Sequence, residues 1–219
     1  MGIEPCCIVN ISIPCFCGNL EGRLYYTPET SHTQGLVICP PHPLLAGNMD
    51  NNVLLTLAMT MAPLMPVLLF NYQAVGESSR PMPELPLYEY WYNLDANRNY
   101  STVIQETKQV LAWIRRYFAD YHLAGYSFGA WIGLQAAPEN ILSFTAITPP
   151  VNEHDFSRLT TMSSPLAIIL AENDGLLAET RFPKLPEQSL IKTVRGSDHF
   201  FINQEKKLAA LLKTFWCRV

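Results

Sequence analysis

The chain has 219 residues, of which 48% are hydrophobic and 16% charged, and its formal net charge at pH 7 is −4. This length and composition predict one globular domain with a sizeable core, which we assign to residues 1–219. The small negative charge provides no basic surface that would favour nucleic acid. The longest apolar run, residues 53–70, is interrupted by Pro63 and Pro66, so we expect no membrane span.

The first forty residues predict a hairpin followed by a central strand. Residues 6–13 and 20–26 have strand composition, and the second run alternates polar and apolar residues as an antiparallel edge strand does. Residues 35–39 are apolar throughout, which indicates a strand buried on both faces. Pro40 and Pro41 follow this run, and because proline cannot donate to a sheet, the strand must end there.

Four cysteines near the N-terminus do not have the spacing of a zinc site. Adjacent cysteines followed by Cys-x-Cys lack the usual Cys-x-x-Cys pattern, and free cysteine often behaves as a small buried residue. We therefore interpret them as part of the sheet and expect no metal. The first residues include an acid and no basic segment, so we expect no secretory signal and a cytoplasmic protein. The four are Cys6, Cys7, Cys15 and Cys17.

From residue 51 onward, helical and strand patterns alternate. Helical spacing of apolar residues predicts helices at 51–62, 102–118 and 203–216. Short apolar runs predict strands at 66–71, 121–124, 143–148, 166–170 and 189–194. The alternation predicts an α/β fold with a mostly parallel sheet, helices on both faces and an N-terminal antiparallel hairpin. Residues 76–100 show no clear pattern, and because prolines exclude a helix between 81 and 86, we expect this segment to be irregular.

The sequence Gly125-Tyr126-Ser127-Phe128-Gly129 lies between a predicted strand and a helical pattern of small residues. Gly-x-Ser-x-Gly in this setting is typical of a nucleophile elbow, a sharp turn that exposes the serine side chain. The turn strains the serine backbone, and the flanking glycines provide the room that it needs. We therefore predict that Ser127 is a nucleophile.

A serine hydroxyl needs an adjacent base, and that base needs an acid to orient it. In a fold of this kind the acid and then the histidine follow the serine along the chain. His199 comes directly after the last predicted strand, and we favour it over His154, which lies in a mid-chain loop. For the acid we favour Asp174, at the end of a predicted strand, with Glu172 and Asp198 as alternatives.

Acyl transfer also needs backbone N–H groups that bind the oxyanion. We expect one from Phe128, the residue after the nucleophile, and the second from the loop after the first central strand. In that loop Pro43 has no N–H, so Leu44 is the first candidate donor and Leu45 the next. We expect His42 to shape this loop and include it among the substrate-binding residues.

The stretch from 81 to 92 is rich in proline and tyrosine and begins near the carboxyl edge of the predicted sheet, where the site must lie. Its aromatic side chains offer apolar area with hydroxyl groups, which suits a pocket wall. We expect a partial cap over Ser127, with Tyr88, Trp91 and Tyr92 contacting the substrate. The alternative is a loop whose tyrosines pack on the domain surface.

Several motifs, in a shared order between residues 35 and 201, together resemble the α/β-hydrolase superfamily. Within it, the chain is similar to small, nearly lidless hydrolases near the dienelactone-hydrolase group. The motifs are Pro41-His42-Pro43-Leu44, Gly47-Asn48-Met49-Asp50-Asn51, Phe70-Asn71-Tyr72, Val75-Gly76-Glu77-Ser78, the serine pentapeptide, Pro149-Pro150-Val151, Asp155-Phe156-Ser157 and Gly196-Ser197-Asp198-His199-Phe200-Phe201. The resemblance implies the fold and a triad of Ser127, Asp174 and His199, and it implies no definite substrate.

The chain departs from the family pattern in two short places and in the stretch 81–92, which is longer than the family's short connection. Ala171 stands where the glycine that opens the acid loop is usual, and Gln73-Ala74 stands where Arg-Gly is usual. None of these departures removes a member of the triad. We therefore predict a serine hydrolase that cleaves a small-molecule ester or thioester through an acyl-enzyme, without a metal or organic cofactor. Amide or C–C bond hydrolysis on the same triad, or a binding protein that retains the fold without turnover, are alternatives.

Overall fold

A computed structural model describes residues 6–45, 47–175 and 184–219, and one eight-stranded sheet runs through it. The strands are β1 (Cys7–Cys15), β2 (Gly18–Tyr26), β3 (Gln34–Cys39), β4 (Val67–Phe70), β5 (Asp120–Tyr126), β6 (Ser143–Ile147), β7 (Leu166–Ala171) and β8 (Leu190–Val194). Their order across the sheet is β1-β2-β4-β3-β5-β6-β7-β8. The β1–β2 and β2–β4 pairs are antiparallel, and all the other neighbours are parallel. The predicted fold class is confirmed.

Helices cover both faces of this sheet. On one face α1 (Asn52–Met61) packs against α5 (Glu205–Trp216), and on the other α3 (Ser101–Ile114) packs against α4 (Phe128–Ala136). Both faces of the central strands are therefore apolar, and every residue of β4 and of β6 is buried.

The parallel strands place their carboxyl ends along one edge of the sheet. β3, β5 and β7 run in the same direction, so the loops that follow them emerge side by side. The predicted oxyanion loop, serine turn and acid loop are these three connections. The topology thus brings residues that are far apart in the sequence to a common edge.

The segment that we expected to be irregular contains a helix, α2 (Leu87–Asn97), and that part of the expectation is wrong. Pro86 is the N-terminal cap of this helix, a place where proline's fixed backbone and missing N–H are tolerated. The prolines therefore end before the helix instead of preventing it. Arg98 ends the helix in the left-handed conformation, with φ of 47°.

Two of the N-terminal cysteines, Cys7 and Cys15, are the first and last residues of the edge strand β1. All six cysteines of the chain are free thiols. Over the described residues, no group of three or more His, Cys, Asp or Glu side chains is arranged to hold a metal ion. In the same residues, no helix combines the length and the apolar character that crossing a bilayer requires.

Candidate active site

Ser127 occupies the turn between β5 and α4 with its backbone in a region that side-chain-bearing residues rarely adopt. Its φ is 52° and its ψ is −123°. Strain of this kind persists only where neighbouring contacts determine the conformation. Here the Ser127 N–H donates to the Ile147 carbonyl at 2.8 Å, and the Ser127 carbonyl accepts from the Ala130 N–H at 2.8 Å.

The two glycines of the motif are required by close backbone approaches. A Cβ atom on Gly125 would lie 2.2 Å from the carbonyl oxygen of Gly129. One on Gly129 would lie 2.3 Å from the carbonyl oxygens of Cys39 and Pro40. Because these neighbours are backbone atoms, a side chain on Gly125 would push β5 away from the start of α4, and one on Gly129 would push the serine turn away from the end of β3.

His199 joins Ser127 to Asp174 through its two ring nitrogens. Its Nδ1 lies 2.8 Å from Asp174 Oδ2, and its Nε2 lies 3.1 Å from Ser127 Oγ. All three side chains are buried. The Tyr126 hydroxyl donates to the His199 carbonyl at 2.7 Å, and its ring stacks on the imidazole. The structure thus brings together the three residues that the sequence analysis grouped.

The two alternative acids have other partners. Glu172 Oε2 accepts the Gly196 N–H at 2.8 Å. Asp198 Oδ1 accepts the N–H groups of Phe200 and Ile202, at 3.1 and 3.3 Å. Both carboxylates therefore organise the loops next to the site, while Asp174 is the acid that contacts the histidine.

A cavity of about 690 Å³ opens beside Ser127 and His199. Its lining includes four more residues that the sequence predicts for the site, namely His42, Leu44, Leu45 and Phe128. A second depression of about 380 Å³ also reaches Ser127 and His199, and its lining is mostly apolar. Ser127 and His199 therefore border both depressions.

The larger cavity also contains residues that the sequence analysis did not assign or ranked lower. His154 stacks flat on Trp131, with ring centroids 4.3 Å apart, and burial lowers the pKa of His154 to about 4. This imidazole is therefore neutral at pH 7. Asp95, Arg98 and Tyr100 line the cavity where α2 ends. Asp95 lies on α2, and Arg98 and Tyr100 follow the end of the helix, so the position of α2 brings all three to the rim.

The loop after β3 is wound around His42. The carbonyl oxygen of His42 accepts the N–H groups of Leu45 and Gly47, at 2.9 and 3.0 Å. The ring Nδ1 accepts the N–H of Leu44 at 3.3 Å. Leu44, the predicted oxyanion donor, therefore has a weak internal partner in this structure. Phe128, the other predicted donor, is the first residue of α4, where a helix leaves its backbone N–H without a helical partner.

His42 is also tied to the end of α2. Its Nε2 lies 3.0 Å from Asp95 Oδ1, and the Tyr100 hydroxyl donates to the same oxygen at 2.8 Å. Burial lowers the pKa of His42, and the nearby Asp95 carboxylate only partly offsets this effect. The ring is therefore neutral, and because Nδ1 accepts the Leu44 N–H, the proton resides on Nε2.

The three aromatic residues that we expected to contact the substrate do not line either cavity. Trp91 is completely buried, and its Nε1 donates to the Gln73 carbonyl at 3.2 Å. Tyr88 and Tyr92 lie one turn apart on the outer side of α2, where their rings stack with centroids 6.0 Å apart. These three assignments are corrected. α2 buries the Trp91 side chain and leaves the Tyr88 and Tyr92 side chains exposed to solvent.

Comparison of the sequence with known proteins identifies a relative of this chain. No protein-family model matches the chain. An uncharacterized protein of Rickettsia prowazekii (strain Madrid E) is 30% identical over 204 residues, which cover 84% of this chain and 78% of the relative. The similarity extends over most of both chains, so the two proteins belong to one family.

Solved structures with the same architecture are numerous. An alpha-beta serine hydrolase homologue from Coxiella burnetii is 26% identical, covers 93% of this chain and 95% of its own, and has a TM-score of 0.74. A serine hydrolase without lid from Xanthomonas campestris is 21% identical, covers 100% and 96%, and has a TM-score of 0.76. Dienelactone hydrolase from Anabaena variabilis, at 14% identity, covers 97% and 98% with a TM-score of 0.74. The sheet order, the strained serine turn and these matches show that the chain belongs to the α/β-hydrolase superfamily and has the fold of its small, dienelactone-hydrolase-like members.

Proposed function

We propose that this protein is a serine hydrolase that cleaves a small-molecule carboxylic ester or thioester through an acyl-enzyme intermediate. The observation that carries the proposal is the hydrogen-bonded series from Asp174 through His199 to Ser127 at the wall of a cavity. The description of the Coxiella burnetii neighbour as a serine hydrolase homologue supports the reaction class. We further propose that residues 1–219 form one catalytic domain, because both hydrophobic clusters pack on the same sheet.

In the first half of the reaction, Ser127 Oγ attacks the substrate carbonyl carbon while His199 Nε2 takes the hydroxyl proton. Asp174 accepts the proton of His199 Nδ1 in a hydrogen bond, which holds the tautomer and stabilises the imidazolium. The negative charge that develops on the carbonyl oxygen is bound by the N–H groups of Phe128 and Leu44. When the intermediate collapses, His199 gives its proton to the leaving alcohol or thiol.

In the second half, water attacks the acyl-enzyme, and His199 takes a proton from that water. The same N–H groups bind the second oxyanion, and His199 returns the proton to Ser127 Oγ as the acid is released. Every proton that moves has a named donor and acceptor in the chain or the substrate. The proposed mechanism therefore uses no metal or organic cofactor.

The experiment compares two serine variants on a p-nitrophenyl ester, the matching thioester and the matching anilide. Ser127→Ala is expected to lower kcat on any hydrolysed substrate by at least about 10³-fold, because the nucleophile is lost. Ser143→Ala is the matched control, since Ser143 also hydrogen-bonds a histidine, His122, at 2.8 Å, but is completely buried in the sheet. Its rate per folded molecule is expected to stay near wild type.

Two results would contradict the proposal. If Ser127→Ala keeps most of the wild-type rate on the ester, the serine mechanism is wrong. If the anilide is cleaved faster than the ester and the thioester, the substrate class is wrong and an amide is favoured.

A further inference from the structure

His42 holds together the loop that carries one of the proposed oxyanion donors. It accepts three backbone N–H groups of this loop, two at its carbonyl oxygen and one at its ring. The loop is so tightly folded that a Cβ atom on Gly47 would lie 2.0 Å from the Pro41 carbonyl oxygen and 2.3 Å from that of His42. Of these three bonds, only the one to the Leu44 N–H is made by the His42 ring, so a change in the ring would reach the loop at Leu44.

The three loop bonds differ in strength in a way that distinguishes Leu44. The N–H groups of Leu45 and Gly47 donate at 2.9 and 3.0 Å, which are ordinary hydrogen-bond lengths. The Leu44 N–H donates to a ring nitrogen at 3.3 Å, which is longer than both. An oxyanion is a stronger acceptor than a neutral ring nitrogen, so the Leu44 N–H is the one that a developing charge can recruit at least cost.

The His42 ring is itself held by α2. Asp95 lies near the last turn of this helix, and its Oδ1 accepts from both His42 Nε2 and the Tyr100 hydroxyl. The ring also packs edge-on against Trp91 and Phe128, with centroids 5.2 and 4.8 Å away. Two contacts from α2 and one from the start of α4 thus fix where the ring stands.

We propose that Asp95 is a positioning residue that acts through His42 on the oxyanion-binding loop. By accepting the His42 Nε2–H, it keeps Nδ1 unprotonated and able to accept, so the Leu44 N–H points to a fixed place. With the proton on Nδ1 instead, two donors would face each other, and the Leu44 peptide would be pushed away. This inference rests on the proposed function.

Two variants of Asp95 distinguish the effect of its charge from its role as a hydrogen-bond acceptor. An asparagine at this position still offers a side-chain oxygen to His42 and to Tyr100, whereas an alanine offers none. Asp95→Asn is therefore expected to keep the loop in place, and Asp95→Ala is expected to release it. Glu89→Ala is the matched control, because Glu89 is an exposed carboxylate on the same helix that lines neither cavity.

The experiment measures kcat and KM for an ester and for its thiono analogue, in which sulfur replaces the carbonyl oxygen and accepts hydrogen bonds poorly. Removing an oxyanion donor outright costs about 10²- to 10³-fold in kcat, so misplacing one is expected to cost roughly 10- to 100-fold. Asp95→Ala should show this loss in kcat on the ester, with KM within about twofold. Its preference for ester over thionoester should fall by a similar factor. Asp95→Asn and Glu89→Ala should stay within about threefold of wild type.

A second pair of variants keeps the test informative if Asp95→Ala folds poorly. The side-chain oxygen of asparagine can accept an N–H two residues along the chain, so His42→Asn retains an acceptor for Leu44. His42→Phe retains the ring shape without an acceptor. The proposal expects a higher ester-to-thionoester ratio in His42→Asn than in His42→Phe.

The outcomes distinguish this inference from the proposed function. If Ser127→Ala is inactive while Asp95→Ala has wild-type kcat and wild-type substrate ratio, the positioning role is wrong and the serine mechanism stands. If Asp95→Ala loses both substrates equally together with thermal stability, and His42→Asn behaves as His42→Phe does, Asp95 is merely structural. If Ser127→Ala remains active, the proposed function itself fails.

Discussion

Two histidine–aspartate pairs contribute to the cavity beside Ser127, and they use the imidazole in opposite orientations. In the His199–Asp174 pair, Nδ1 faces the carboxylate and Nε2 faces the serine hydroxyl. In the His42–Asp95 pair, Nε2 faces the carboxylate and Nδ1 faces a backbone N–H. His199 Nε2 faces the Ser127 hydroxyl, which can lose its proton. His42 Nδ1 faces the Leu44 N–H, which cannot.

The difference shows that the partner of the second ring nitrogen, and not the carboxylate, determines what such a pair can do. A hydroxyl proton can transfer to His199, so this pair suits general base catalysis. An amide N–H keeps its proton, so His42 can only orient it. The two carboxylates also differ in burial. Asp174 is buried, whereas the Asp95 side chain is 34% exposed.

The largest expected effect on kcat comes from comparing an aspartate-to-asparagine substitution in the two pairs. Asp174→Asn should lower kcat by on the order of 10⁴-fold, because an asparagine amide stabilises the wrong histidine tautomer, if the effect known from serine proteases transfers. Asp95→Asn should cost about threefold or less, because the Tyr100 hydroxyl donates to the same oxygen as His42 Nε2 and so keeps the asparagine oxygen, an acceptor, facing the ring. Glu172→Gln controls for loss of a neighbouring carboxylate and should cost far less than Asp174→Asn. Steady-state kinetics on one ester measures all three.

The reverse ranking would break the comparison. If Glu172→Gln is the more damaging change, the acid of the triad is Glu172. If Asp95→Asn lowers kcat as much as Asp174→Asn does, the distinction between a pair that transfers a proton and a pair that orients an N–H group is wrong.

Glu106 extends the comparison to a buried carboxyl that has no histidine. It lies on α3, it is 1% exposed, and its Oε2 has no hydrogen-bond partner. Burial raises its pKa from 4.5 to about 7, and a hydrogen bond from Cys17 only partly offsets this. Between pH 4.5 and about pH 7, Glu106 keeps its proton in the folded protein but loses it in the unfolded chain. The free energy of unfolding therefore falls as the pH rises through this range.

Glu106→Gln should remove this pH dependence. The variant should match wild type near pH 4.5 and exceed its free energy of unfolding by up to about 3 kcal/mol above pH 7. Urea unfolding of both proteins at pH 5 and pH 8 measures the difference, with exposed Glu139→Gln as the control. A constant gap between wild type and Glu106→Gln at both pH values would mean that Glu106 is ionised in the folded state.

The smallest effect is expected from Tyr88→Ala and Tyr92→Ala. These side chains are 62% and 56% exposed and line neither cavity. The ranking of kcat/KM across esters of increasing acyl length should stay as in wild type, and the thermal midpoint should move little. A changed ranking in either variant would show that α2 reaches the substrate along its whole length and not only at its C-terminal end.

The sequence contained enough information to predict the serine turn and its place in the fold. Gly125 and Gly129 mark a close backbone approach that few other residues allow, so the motif reports geometry directly. The apolar runs of the parallel strands predicted the sheet for a similar reason, since burial on both faces leaves a continuous pattern.

The sequence alone could not predict α2 or the roles of the residues at its end, because these roles depend on contacts between residues far apart in the chain. The prolines before Leu87 obscured the start of the helix, and the Asp95–His42 pair joins residues 53 positions apart. No local pattern marks Asp95 as a partner of the loop after β3. Trp91 was misassigned for the same reason, because only the packing shows that it faces the core.

The central claim is that Ser127 is an activated nucleophile, and labelling with a fluorophosphonate probe tests it most directly. Such a probe phosphonylates an activated serine, with loss of fluoride, and requires no knowledge of the substrate. The account predicts one equivalent of label per chain, located by peptide mass spectrometry at Ser127, absent in Ser127→Ala and greatly slowed in His199→Gln. Labelling at another serine, or no labelling of the folded wild-type protein, would contradict it.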